Sequence, residues 1–302
     1  HDNVALQVCP IFHNLLRSYK ECEQSYFDDW NKIMNGRIVN GFFYSLIDYS
    51  TGNYLLFHND FDPMFDNYEI YKKAGLKYII QLGTLNLSND INFANLRSYL
   101  YSYLANNDNI TKDDYSRVER NYFDRYFGPA ANDMYDLYSK LKTSFEKFKY
   151  ITTSSHNDSW HNAFTRLSFG SIKTTKPVKD TNGNCYGIAS DYDLLNNVDK
   201  SKQVVLFSND ESNDDYIGKY IEIYNKAVNS LNSLNKNSDE YELYLKRVML
   251  NSVVLFYINL ECFNDSSLMS KQEFINFCES NNIDRTGETI KLTDLISHWN
   301  IA

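Results

Sequence analysis

The chain has 302 residues, of which 43% are hydrophobic and 23% are charged, and this composition is typical of a globular protein and not of a disordered one. Its net charge of -9 argues against a nucleic acid as partner, because binding the phosphate backbone requires clustered Lys and Arg. With only 4 prolines and 11 glycines, the chain is expected to be rich in helix and poor in the turns of an all-β fold.

Residues 1–95 alternate between helical and strand patterns. Residues 38–47 form an apolar run rich in β-branched and aromatic side chains, which predicts a buried strand. A helix that opens with Pro63 and ends before Gly75 follows, and residues 76–82 predict a second buried strand. Because a helix separates the two strands, they are predicted to be parallel and adjacent.

After residue 89 the pattern becomes helical. We predict helices at residues 93–104, 111–127, 129–148, 214–235, 239–262, 270–281 and 290–299. Thr111, Ser238 and Ser270 are the candidate N-caps, and Gly128 is expected to take a positive φ at the break between two helices. Residues 151–210 are predicted to form an irregular insertion with at most a minor hairpin.

Motifs for metals, cofactors and membrane spans are absent from the sequence. The five cysteines have no CxxC spacing, neither a Walker motif nor GxGxxG occurs, and no apolar run reaches the roughly 18 residues of a membrane span. We therefore predict no cofactor, no metal and no membrane span. His156 and His161 flank Asp158, and their i,i+5 spacing does not place both rings on one helical face. We predict that both histidines are exposed loop residues; the alternative is a surface metal site.

Four stretches carry a family resemblance: CPIFHN (Cys9 to Asn14), the segment from Phe42 to Asp62, GLKYIIQLG (Gly75 to Gly83), and the segment from Leu96 to Tyr138 with its phrase YFGPAA. Together they resemble a poorly characterised bacterial family of glycoside-hydrolase-like proteins, related in architecture to the α-glucuronidases and hexosaminidases. The resemblance covers residues 9–141, a little under half of the chain, and YFGPAA is its most specific piece. Ile47 stands where the family has Trp, and Gln81 stands where it has Glu.

The resemblance implies an α/β region followed by an all-α region. Residues 1–95 would form the closing βα units of a TIM-like barrel, and residues 96–302 a helical domain that contains the insertion at about 151–210. The earlier barrel strands would then lie upstream of His1 and pack against this chain. The implied function is carbohydrate-active, acting on or binding polysaccharide outside the cell or at its surface; the alternative is a non-catalytic helical surface or interaction protein.

The candidate substrate-binding residues are Asp48, Tyr49, Asn53 and Gln81. Asp48 and Gln81 are candidates because they lie at the carboxyl ends of the two predicted strands. In barrels the active site lies at the carboxyl ends of the parallel strands. Asp48 could also cap a turn, and Gln81 could be a buried amide bonded to backbone. Glycoside hydrolysis normally requires two carboxylates, so no catalytic residue is predicted and this chain alone is expected to be inactive.

Seven tyrosines lie on the predicted helices after residue 96. They are Tyr99, Tyr101, Tyr103, Tyr122, Tyr126, Tyr135 and Tyr138. Most are predicted to lie in the core or on half-buried helix faces, and the alternative for a few of them is the wall of a carbohydrate groove.

Overall fold

The computed structural model describes residues 6–8, 18–22, 24–34, 38–44, 55–57, 59–75, 78–82, 90–147, 185–187, 204–286 and 291–301. The helices of these residues are α1 (Tyr19–Cys22), α2 (Gln24–Met34), α3 (Phe61–Lys73), α4 (Ala94–Asn106), α5 (Lys112–Phe127), α6 (Ala131–Glu146), α7 (Ile217–Ser230), α8 (Asp239–Leu250), α9 (Val253–Cys262), α10 (Lys271–Ser280) and α11 (Leu292–His298). Short 3₁₀ helices follow α5 at Gly128–Ala130 and α7 at Leu231–Ser233.

A small parallel sheet lies in the first part of the chain. Its strands are β1 (Leu6–Val8), β2 (Ile38–Tyr44) and β3 (Tyr78–Leu82), in the order β1-β2-β3. In β2 and β3, the register places Asn40 opposite Tyr78 and Tyr44 opposite Leu82. Helix α3 lies between these strands in the sequence, so the prediction that the two strands are parallel and adjacent is confirmed.

The prediction of a TIM-like barrel is wrong. A barrel of that kind closes with eight parallel strands, whereas the sheet in the described ranges has three and is open. After β3 the apolar residues recur mostly with helical periodicity. No later strand of the described residues joins this sheet, and the described chain is mainly helical. The glycoside-hydrolase assignment and the expected secretion depended on the barrel resemblance, and this structure does not support them.

The second half contains a minor hairpin of the predicted kind. Strand β4 (Cys185–Gly187) pairs antiparallel with β5 (Val204–Phe207), and both strands lie within the predicted insertion at residues 151–210. The other described residues after 92 form helices, turns and loops, which confirms the prediction of a helical second part.

Local capping signals set several helix ends as predicted. Thr111 accepts a hydrogen bond from the Asp114 N–H, and the Asp114 side chain accepts one in return from the Thr111 N–H. Ser270 forms the same reciprocal pair with Glu273. Helix α3 departs from the prediction, because it begins two residues before Pro63.

The predicted helix over residues 239–262 is two helices, α8 and α9, bent by 48°. The Asn251 side chain causes the break, since its Nδ2 donates to the Arg247 carbonyl and its Oδ1 accepts from the Phe93 N–H at 2.6 Å. No single described helix is long and apolar enough to cross a membrane; α8 and α9 meet that criterion only as a bent pair, judged by length and composition alone.

The hydrophobic core extends from α3 to α11, and within it an aromatic cluster around Tyr138 joins α3, α4, α5 and α6. The Tyr138 ring centroid lies 5.0 Å from Phe61, 5.1 Å from Phe93 and 5.2 Å from Phe123. All four side chains are almost completely buried. Pairs of rings at these distances stabilise a core beyond the area that they bury, so this aromatic cluster holds the four helices together.

Candidate functional site

Of the four predicted substrate-binding residues, the structure describes only Gln81. Gln81 lies in β3, one residue before its end, opposite Phe43 of β2. Asp48, Tyr49 and Asn53 lie outside the described residues. The predicted sugar site at the ends of the strands therefore stays a prediction, and so does the alternative metal site at residues 156–161.

A buried ion pair fixes the start of α3 against α4. The Arg97 Nε donates to both oxygens of Asp60, at 2.7 and 2.8 Å, and each side chain is only 3% exposed. The Arg97 guanidinium also lies 4.8 Å from the centroid of the Phe61 ring. Because both charges are removed from water and from ligands, the pair is structural and not a binding site.

A second polar cluster joins α3, α5 and α6. The Tyr138 hydroxyl donates to Glu119 at 2.6 Å, and the Lys142 ammonium lies 2.5 Å from Asp62 and 3.8 Å from Glu119. Burial raises the pKa of Glu119, although Lys142 and the Tyr138 hydroxyl oppose that shift. A carboxyl with a raised pKa is a candidate general acid in catalysis. Glu119, however, already accepts a hydrogen bond from Tyr138 and lies near Lys142, and this arrangement is typical of a structural network that joins helices.

The part of the chain that the structure describes holds no group of three or more His, Cys, Asp or Glu side chains that could bind a metal ion.

Three tyrosines and one arginine from three helices contact one another in a row, which we call the tyrosine stack. Tyr122 and Tyr126 are one turn apart on α5, and their rings are stacked at 4.9 Å with 14° between their planes. Tyr99 of α4 lies 5.4 Å from Tyr122. The Arg247 guanidinium of α8 lies 4.1 Å from the Tyr126 ring centroid. The tyrosine stack therefore runs Tyr99, Tyr122, Tyr126, Arg247.

One end of the tyrosine stack is open to solvent. Tyr99 is 42% exposed, which places it among the few large hydrophobic residues exposed in the described chain. Tyr122 and Tyr126 are half-buried behind it. An exposed aromatic side chain that contacts a second ring is partly fixed in position and offers an aromatic surface to a ligand.

A buried carboxyl supports the tyrosine stack. Asp90 accepts hydrogen bonds from the Asn95 N–H at 2.8 Å, from the Asn251 Nδ2 at 3.0 Å and from the Tyr126 hydroxyl. Burial raises the pKa of Asp90, and these hydrogen bonds act in the opposite direction. By contrast, the buried hydroxyl of Tyr122 has no hydrogen-bond partner within the described residues.

Arg247 uses little of its hydrogen-bonding capacity. Its Nη1 donates to the Tyr126 carbonyl at 2.8 Å, and its guanidinium lies 5.8 Å from the Tyr244 ring. No carboxylate of the described chain lies within ion-pair distance of it, although it attracts Asp90 weakly. Arg120, which lies 4.8 Å from the Tyr135 ring, differs because it pairs with Asp124 at 3.1 Å.

Sequence reasoning found part of this site. Tyr99, Tyr122 and Tyr126 are among the tyrosines for which the sequence gives a sugar groove as the alternative, whereas sequence analysis singles out neither Asp90 nor Arg247. The available signal is the i,i+4 spacing of Tyr122 and Tyr126 on α5. No protein-family model, no curated protein and no solved structure matches the chain, so membership of the family that it resembles stays a prediction.

Proposed function

We propose that the chain binds carbohydrate without hydrolysing it, on the exposed ring of Tyr99 at the open end of the tyrosine stack. The observation that carries this proposal is the 42% exposure of a ring whose position is set by Tyr122, 5.4 Å behind it. The apolar face of a sugar ring packs on an aromatic face, and a preformed platform loses little side-chain freedom on binding.

A polar group stands beside this platform. Asn95 is exposed and lies one turn before Tyr99 on α4, so both side chains lie on the same side of the helix. A side-chain amide both donates and accepts hydrogen bonds, which suits sugar hydroxyls. An aromatic face next to a small number of polar groups is the usual composition of a small-molecule site.

The proposal is tested by calorimetry with a panel of neutral oligosaccharides. Tyr99→Ala should weaken the affinity at least tenfold, which corresponds to about 1.4 kcal/mol. Ile33→Ala is the control, because Ile33 is an exposed large hydrophobic side chain on α2 that does not belong to the tyrosine stack. Equal affinity of the wild type and the Tyr99 variant, or no binding at all by the wild type, would contradict the proposal.

A second measurement addresses the absence of catalysis. Nitrophenyl glycosides are incubated with the wild-type chain, and release of nitrophenol is followed by absorbance. No turnover is expected, since the carboxyls Asp90 and Glu119 are buried and already hydrogen-bonded. Turnover that survives purification would show a catalytic pair elsewhere in the chain.

A further inference from the structure

We infer that Arg247 makes the tyrosine stack selective for an oligosaccharide that carries an anionic group, a carboxylate or a sulfate. This inference rests on the proposed carbohydrate binding and specifies its ligand class. It depends on three features of Arg247: its free hydrogen-bond donors, its place in the tyrosine stack and its unbalanced charge.

The first feature is the unused donor capacity of the guanidinium. An arginine has five N–H donors in a planar fork, and the described chain occupies only Nη1 of Arg247, through the Tyr126 carbonyl at 2.8 Å. Arg247 is half-buried and not fully enclosed by the described chain. Such a fork matches the geometry of a carboxylate or a sulfate through two parallel hydrogen bonds.

The second feature is the position of Arg247 at the opposite end of the tyrosine stack from Tyr99. Two rings, Tyr122 and Tyr126, separate the exposed ring from the guanidinium, with successive separations of 5.4, 4.9 and 4.1 Å. The inferred ligand is therefore longer than one sugar ring, because an oligosaccharide that lies along the tyrosine stack would contact both Tyr99 and Arg247.

The third feature is the local charge balance. The chain carries a net charge of -9, yet Arg247 forms no ion pair with a described carboxylate, and Asp90, which it attracts, is buried and hydrogen-bonded to Asn95, Asn251 and Tyr126. Burial raises the pKa of Asp90, and Arg247 has the smallest opposing effect on it. The positive charge of Arg247 is therefore balanced less completely than that of Arg120, which pairs with Asp124.

The test compares charged and neutral forms of the same backbones by calorimetry. The probes are tetragalacturonate with its methyl ester, and a κ-carrageenan tetrasaccharide with its desulfated form. The wild type should bind at least one charged form tenfold or more tightly than its neutral form, and this preference should fall as NaCl is raised. The pair with the larger ratio identifies a carboxylate or a sulfate as the preferred group.

Variants assign the preference to one side chain. Arg247→Gln should bring the charged-to-neutral ratio close to one while the neutral forms still bind, and Arg247→Lys should give an intermediate ratio, because it keeps the charge and loses the fork. Arg120→Gln should leave the ratio unchanged. Thermal melting shows whether each variant folds, because Arg247 also donates to the Tyr126 carbonyl. If Arg247→Gln does not fold, the charged-to-neutral ratio of Arg247→Lys and the salt dependence of the wild type test the role of Arg247.

Failure of this inference is distinguishable from failure of the proposed function. If the wild type binds the neutral probes through Tyr99 with a charged-to-neutral ratio near one, carbohydrate binding stands and the selectivity is refuted. An unchanged ratio in Arg247→Gln likewise refutes the role of this arginine. If no probe binds, the proposed function falls, and the selectivity falls with it.

Discussion

Gly128 links α5 to the 3₁₀ turn before α6, and its replacement by alanine should destabilise the chain strongly. Its φ of 53° and ψ of -125° lie in a region that side-chain-bearing residues rarely adopt. A Cβ built on Gly128 would lie 2.6 Å from Cζ and 2.8 Å from Cε2 of Tyr244. The backbone strain costs about 1–3 kcal/mol, and the overlap adds about 1–2 kcal/mol, because Tyr244 packs against the core and cannot move away freely.

A second glycine and a double variant separate these two costs. Gly75 also has a positive φ, 76°, but a Cβ there would meet nothing within 4 Å, so Gly75→Ala should cost only the backbone strain, about 1–2 kcal/mol. Tyr244→Ala should reduce the cost of Gly128→Ala by removing the overlap. The free energy of unfolding is measured by urea denaturation followed by circular dichroism. The reasoning is refuted if Gly128→Ala lowers the free energy of unfolding no more than Gly75→Ala does, and if this loss is the same with and without Tyr244→Ala. The overlap with Tyr244 would then contribute nothing to the destabilisation.

Two further predictions concern buried hydroxyls and a buried carboxyl. Tyr122→Phe should leave the free energy of unfolding unchanged or raise it, because the Tyr122 hydroxyl is buried without a hydrogen-bond partner among the described residues. Tyr138→Phe should lower it by about 1–3 kcal/mol, because it removes the 2.6 Å hydrogen bond to Glu119. Urea denaturation compares the two variants, and equal costs would contradict these hydrogen-bond assignments. The native pKa of Glu119 is raised above its ordinary value near 4.5, so the native state binds this proton more tightly than the unfolded state does. Its contribution to stability is therefore complete below about pH 4.5 and is lost as the pH rises through the native pKa. Glu119→Gln should flatten that decline in unfolding free energies measured from pH 4 to pH 8, and an unchanged profile would show that another group causes it.

Helix ends were predictable where a few neighbouring residues determine them. The capping pairs Thr111 with Asp114 and Ser270 with Glu273 each span three residues, so the pattern contains both partners. The break between α8 and α9 was not predictable in this way. Asn251 binds Asp90 and the Phe93 backbone, 161 and 158 residues away, and no local pattern shows such partners.

The same limit explains the wrong barrel. The apolar runs that became β2 and β3 predicted strands correctly, and the helix between them predicted parallel pairing. The number of strands in a sheet, however, depends on pairing over the whole chain and not on any one run. The resemblance supplied that number, and the open three-stranded sheet of the described residues contradicts it.

The candidate site shows most clearly what a sequence leaves open. Tyr122 and Tyr126 share one face of α5 by their spacing alone, but Arg247 reaches Tyr126 across 121 residues. Arg120 and Arg247 both lie over tyrosine rings, and their residue type does not distinguish them. The i,i+4 spacing of Arg120 and Asp124 already predicts their ion pair, whereas only the fold places Arg247 over Tyr126 with a single hydrogen bond among the described residues. An arginine that is already paired with a carboxylate has less attraction left for an anionic ligand. We therefore expect Arg247, and not Arg120, to bind the anionic group of the ligand.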